Sequence, residues 1–140
     1  MAVNTQFSIA THILVGLACG CAKAGTTSAH LALSVNTSPS FVRRVLSRLS
    51  KAGLVKTATG KAGSCWLARD AKKISLLDIY KAVDAPKAFA IHTYTEQKAC
   101  NVSCHIKHAL DKALDKTQNA MESTLGRISL AQIVFEVRRA

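Results

Sequence analysis

The chain has 140 residues, a formal charge of +11, 49% hydrophobic residues and only 5% aromatic ones, which is the size of about one domain with a real core. No segment reaches the ~20 apolar residues that cross a bilayer as a helix, and abundant Ala, Leu, Val and Ser with two prolines favour a mainly helical fold. Charge is strongly segregated: residues 1–69 hold eight Lys or Arg and no acid, while all eight acids lie from Asp70 onward among eleven bases. A cationic, acid-free half points to a polyanion as partner rather than to acid–base catalysis.

In chain order, Phe7, Ala10, Ile13, Leu14, Leu17 and Ala18 recur at helical spacing and predict a first helix over Phe7–Gly20. The apolar run Ile9–Cys19 has no basic residue before it (Lys23 is the first cation) and is interrupted by His12, so it reads as a buried helix rather than a signal peptide. A cytoplasmic location with reduced thiols follows as the expectation, with Cys19 and Cys21 as small packing residues. Gly25 and Thr26 read as a turn, Thr27 or Ser28 as the cap of a short helix over Ala29–Ser34, and Asn36-Thr37 as the next turn.

Ser38–Gly53 is the most fully punctuated segment. Ser38 suits an N-cap, Pro39 the first helical position and Gly53 the residue past the end. Val42, Val45, Leu46 and Leu49 form an apolar stripe, while Ser40, Arg43, Arg44, Ser47, Arg48 and Lys51 face away from it. Two short helices joined by a tight turn, the second one basic, make a helix-turn-helix. Leu54–Thr57 and Cys65–Ala68 then read as two strands around the glycine-bearing tip Ala58–Ser64, a hairpin wing with Lys61 at its tip and Arg69 at its base. Trp66 is expected to plug the core.

Ser75-Leu-Leu-Asp78 predicts a capping box opening another short helix, and Asp84–Ala99 reads as loop or broken helix. From about Ser103 to Gly126, Ile106, Leu110, Ala113 or Leu114, Thr117, Met121 and Leu125 recur in three- and four-residue steps, a short coiled-coil seam that calls for a second copy of the chain. Ser129 and Gln132 predict a capping box for a last helix. The expected organisation is a winged helix-turn-helix over 1–84, a cysteine-bearing sensor loop over 85–103, and a dimerisation helix plus C-terminal helix over 104–140.

The succession TSAHLALSV, SPSFVRRVLSRLSKAGLV, GKAGSCWLARD, ISLLDIYKAVD, a cysteine loop and a long helix ending ISLAQIV resembles the Rrf-type winged-helix regulators over nearly the whole chain. That family includes iron–sulphur, nitric-oxide and cysteine-metabolism regulators. The resemblance implies a homodimer whose paired basic helices read palindromic double-stranded DNA, with Ser38, Ser40, Arg43, Arg44 and Arg48 on the helix and Lys61 in the wing facing it. Two departures stand out: Ser64 and Cys65 replace part of the family's glycine run before Trp66, and the loop carries two cysteines where the iron–sulphur branch carries three.

Cys100-x3-Cys104-x3-His108, with His105 adjacent, is the one constellation with chemical reach. If helical, the three side chains share a face. At the start of the long helix, near Lys98 and Lys107, Cys104 would sit where negative charge on sulphur is stabilised. Oxidation or electrophile modification of Cys100 or Cys104 is the leading reading, with Cys65 as a secondary thiol. No cofactor is required. A [2Fe–2S] cluster on Cys100, Cys104 and one histidine (His108, or His12 of the partner subunit), another metal such as Zn²⁺ on the same atoms, and two incidental cysteines remain alternatives. The rival of a different class, a thiol- or metal-handling protein, lacks a C-x-x-C, an acid–base pair or a nucleotide loop. The expectation is therefore a DNA-binding regulator, a repressor and not an enzyme.

Overall fold

A computed structural model of the protein describes residues 4–20, 26–58 and 63–140. The order is α1 (Gln6–Cys19), β1 (Thr26–Thr27), α2 (Ser28–Val35), α3 (Pro39–Lys51), β2 (Val55–Thr57), β3 (Ser64–Leu67), a 3-10 turn (Ala71–Lys73), α4 (Leu76–Ala82), α5 (Asn101–Gly126) and α6 (Leu130–Arg139). This is the mainly helical winged-helix arrangement with a small sheet. Gly25, Cys21, Lys23 and the wing-tip Lys61 fall outside the described residues.

Local chemistry sets the boundaries. The Thr27 hydroxyl accepts from the His30 amide at the start of α2, and Asn36 ends that helix in the left-handed region. Ser38 accepts from the Phe41 amide, Pro39 opens α3, and Gly53 follows its C-cap at φ 77°, a conformation that favours glycine. Both expected capping boxes are formed, Ser75 with Asp78 and Ser129 with Gln132.

The sheet has three antiparallel strands in the order β1-β3-β2 rather than two, because Thr26, expected in a turn, pairs with Cys65. Lys56 faces Trp66 and Thr57 faces Cys65 in the hairpin. Side chains alternate along a strand, so the fully buried Cys65 turns its neighbour outward. Trp66 is accordingly 41% exposed and does not plug the core.

A single core gathers Ile13 and Leu14 of α1, Leu31 of α2, Val42, Val45 and Leu49 of α3, Leu54, Ile74, Ile79, and Leu130 of α6. The last helix therefore returns to the winged half. Its entry is stitched by the Leu76 amide to the Ile128 carbonyl at 2.9 Å and the Leu130 amide to the Ile74 carbonyl at 2.7 Å. Helix α5 meets α4 near its C-terminus, where Gly126 is close enough to Leu77 that a Cβ would lie 3.4 Å from its Cδ2. Farther up, Gln118 is 9% exposed: it accepts from the Ala88 amide at 3.0 Å and donates to the Tyr80 hydroxyl at 2.9 Å. Tyr80 in turn donates to the Pro86 carbonyl at 2.6 Å, so the irregular segment after α4 is tied along α5.

Candidate nucleic-acid interface and cysteine loop

Helix α3 offers one face to the core and the opposite face to solvent. Val42, Val45, Leu46 and Leu49 are buried, whereas Ser40, Arg43, Arg44, Ser47 and Lys51 are exposed. A cleft of about 400 Å³ runs between this face and the wing, lined in part by Ser28, Arg43, Ser47, Lys51, Thr57 and Gly63. No acid lines it. Arg44 stacks over the Phe41 ring with its guanidinium carbon 5.1 Å from the centroid, which orders the side chain while leaving its donors free. Ser38 and Ser40 hydroxyls lie 3.3 Å apart at the helix entrance. Ser47 and Lys51, set facing outward by their spacing, and Ser28 and Thr57, which the helix pattern could not reveal, join the cleft because the sheet folds beside α3.

Arg48 behaves differently from its expected place among the DNA-facing residues. One guanidinium nitrogen, Nη1, donates to the Gln6 Oε1 at 2.8 Å and to the Val83 carbonyl at 3.0 Å. The side chain is thus drawn toward the start of α1 and the end of α4, away from the cleft. Arg69 is at the wing base as expected, donating to the Gly53 and Lys73 carbonyls, both at 3.4 Å, with Asp78 at 4.0 Å.

The cysteines divide into buried and accessible. Cys65 is fully buried and donates to the Thr26 carbonyl at 3.0 Å, and burial pushes its thiol up from the ordinary value. A buried, protonated thiol is a poor nucleophile, so the secondary sensor expectation for Cys65 fails on access and on charge state. Cys100 and Cys104 are free thiols, the first exposed and the second half-buried. The long helix begins at Asn101, earlier than expected, so Cys100 itself is the N-cap. Its sulphur accepts from the Ser103 amide at 3.4 Å, while the Cys104 thiol lies 3.6 Å from the Gln97 carbonyl and 3.9 Å from that of Lys98. The helix-terminal position expected for Cys104 therefore belongs to Cys100. Ser103 also receives the Gln97 amide at 2.8 Å and the Tyr94 hydroxyl at 2.6 Å, locking the preceding loop onto this first turn.

His108 does not complete a ligand set. At 1.5 Å of rise per residue it stands about 12 Å along the helix from Cys100, and His105 turns its Nδ1 to the Asn101 carbonyl at 2.8 Å. His12, the other histidine considered, pairs with the Ser34 hydroxyl at 3.0 Å. Among the described residues no three His, Cys, Asp or Glu side chains converge as ligands for one ion. The described donors of a single chain do not by themselves gather a cluster or zinc ligand set. Among them, too, no helix is long and apolar enough to cross a membrane.

Compared with known proteins, residues 3–136 match the Rrf2 family, described as iron-dependent transcriptional regulators. The chain is 36% identical over 133 residues to YwnA of Bacillus subtilis (strain 168), which carries the name of an HTH-type transcriptional regulator, with 94% of this chain and 96% of that protein covered. A solved structure described as a transcriptional regulator from Lactobacillus plantarum is similar at a TM-score of 0.82 and 20% identity, covering 96% of this chain and 90% of that one. CymR, the global cysteine regulator of B. subtilis, is similar at a TM-score of 0.67 and 20% identity, over 97% and 98% of the two chains. At that identity the two structures speak for the winged-helix fold; the family match and YwnA speak for kinship. The chain belongs to the Rrf2 family of DNA-binding transcriptional regulators, which are not enzymes.

Proposed function

We propose that this regulator is a homodimeric repressor whose two α3 helices enter successive major grooves of a palindromic operator. The observation that carries the DNA side of this reading is the acid-free cleft between α3 and the wing. On this reading Ser38, Ser40, Arg43 and Arg44 on the exposed side of α3 contact DNA together with Ser47 and Lys51, and Lys61, outside the described residues, is assigned to DNA from the sequence alone. An arginine read bidentately by guanine is worth about 1–3 kcal/mol of discrimination, whereas a phosphate contact weakens all sequences alike. The dimer is supported by Ile106 and Leu110, which are 40% and 39% exposed on the seam of α5 and stand outside the hydrophobic core of the described residues. In this reading 1–84 with α6 forms the DNA-binding unit, 85–103 the sensor segment and α5 the dimer helix.

Control is assigned to Cys100 and Cys104. A hydroperoxide can oxidise either: the thiolate attacks an oxygen, the O–O bond breaks, the departing oxygen takes a proton, and sulphur is left as a sulphenic acid. At Cys100 this removes the cap on Ser103, and at Cys104 it displaces the thiol from the Gln97 carbonyl. Either change loosens the loop that Ser103 holds.

The test is operator binding by the wild type and by Arg43→Ala/Arg44→Ala, with a duplex selected from a random pool, before and after peroxide. The double variant is expected to lose binding, and peroxide to change the affinity of the wild type but not of Cys100→Ser/Cys104→Ser. Wild-type affinity in the double variant sinks the DNA assignment; an unchanged peroxide response in the serine variant sinks the switch.

A further inference from the structure

We infer that Arg48 is a positioning residue that sets the pitch of α3 rather than a residue that touches DNA. Taking Ser40, Ser47 and Lys51 as the middle of the exposed face, Arg48 stands about 80° around a helix of 3.6 residues per turn, next to the apolar stripe. Its Nη1 reaches the first residue of α1 through Gln6 Oε1 and the last turn of α4 through the Val83 carbonyl. One side chain thereby joins α3 to α1 and α4, two of the helices it packs against. Both acceptors are neutral, one a side-chain amide oxygen and the other a backbone carbonyl. Val83 is the C-cap of α4, where the helix dipole places partial negative charge, so the guanidinium meets a favourable field without a carboxylate. A lysine ammonium has donors enough for both acceptors but sits on a different stem without the planar guanidinium that fixes their direction, so it replaces arginine only in part.

Reading a base edge needs α3 placed within fractions of an ångström, whereas attraction to phosphates is tolerant of tilt. A freed α3 is therefore expected to lose discrimination before it loses charge-driven binding. The inference rests on α3 reading DNA, which Arg43→Ala/Arg44→Ala tests separately. The variants here are Arg48→Gln, Arg48→Lys and Gln6→Ala in the full chain. Each is titrated against a duplex selected by the wild-type protein and a random-sequence duplex, across a salt series, well below its melting temperature.

Arg48→Gln is expected to bind the selected duplex about tenfold or more weakly, with less than a twofold change on the random duplex and an unchanged salt slope. Arg48→Lys should restore part of the discrimination. Gln6→Ala, which alters no residue of the cleft, should shift discrimination in the same direction. If Arg48→Gln weakens both duplexes alike and lowers the salt slope by about one, Arg48 contacts a phosphate and the inference is overturned. Unchanged discrimination in Gln6→Ala together with Arg48→Lys equal to Arg48→Gln overturns it as well. Should Arg48→Gln fail to fold, Gln6→Ala and Arg48→Lys decide alone.

Discussion

Arg44 and Cys65 show how two residues of the acid-free half can behave in opposite ways, one exposed on α3 and the other buried in β3. Arg44 stacks on the Phe41 ring on the exposed side of α3. Replacing it with alanine should cost about 1–3 kcal/mol on a selected duplex if it reads guanine, with a changed base preference in a selection experiment. Phe41→Leu should weaken the same duplex by a smaller factor, because the guanidinium survives without its platform. Cys65 beneath the cleft titrates above the ordinary thiol range because burial disfavours the thiolate. The unfolded thiol loses its proton near 9.0 while the folded one keeps it, so its contribution to stability is full below that pH and falls as pH rises beyond it. Thermal unfolding of the wild type should therefore weaken more steeply above pH 9 than that of Cys65→Ala. In native protein at neutral pH, alkylation should label Cys100 well before Cys65.

The helices test these ideas at the next scale. Ile106→Glu/Leu110→Glu puts two charges on the seam of α5, where neither side chain supports the core, and is expected to convert a dimer to a folded monomer by sedimentation. Ser75→Ala removes a cap whose loss typically costs about 0.5–2 kcal/mol and should lower the midpoint of denaturant unfolding accordingly. Elements of this kind were readable from sequence because their signals are local. Thr27, Ser38, Ser75 and Ser129 each bond the amide three residues on, and the sequence shows that spacing directly. Trp66 was not readable, since its side depends on which of two adjacent residues the strand register turns inward. Nor was Cys100, because cysteine is not among the residues that commonly cap helices and the start of α5 lay two residues earlier than its apolar seam suggested. Arg48 lay at the margin of the exposed arc, and its acceptors Gln6 and Val83 are 42 and 35 residues away in the chain.

At the scale of the molecule, the charge segregation seen in the sequence becomes a functional asymmetry: the acid-free half builds the cleft, and the mixed-charge half builds the long helix. Binding through such a cleft should be strongly salt-dependent. Six to ten phosphate contacts per dimer would lose about 10³–10⁵ in affinity between 50 and 200 mM salt, and a flat response over that range would rule out phosphate-dominated binding. The family and the winged-helix core were legible because the motifs run contiguously from Thr27 to Asp84. The site was legible only in its α3 part. The wing's contribution depends on how the sheet folds beside α3, and the sensor part depends on where one helix begins.

Helix α5 spans 26 residues, about 39 Å, yet its attachments to the winged half, Gly126 against Leu77 and Gln118 against Tyr80, lie in its final third. The helix is therefore a lever with its fulcrum off-centre. From Gln118 to the N-terminal tip is roughly twice the distance from Gln118 to Gly126, so a shift of a few tenths of an ångström at the glycine is about doubled at the sulphur end. Run the other way, a larger displacement at the tip reaches the winged half as a smaller one with greater force. On the proposed reading, chemistry at Cys100 or Cys104 acts on the winged half as torque, with no need for a continuous chain of rearranged contacts through the core.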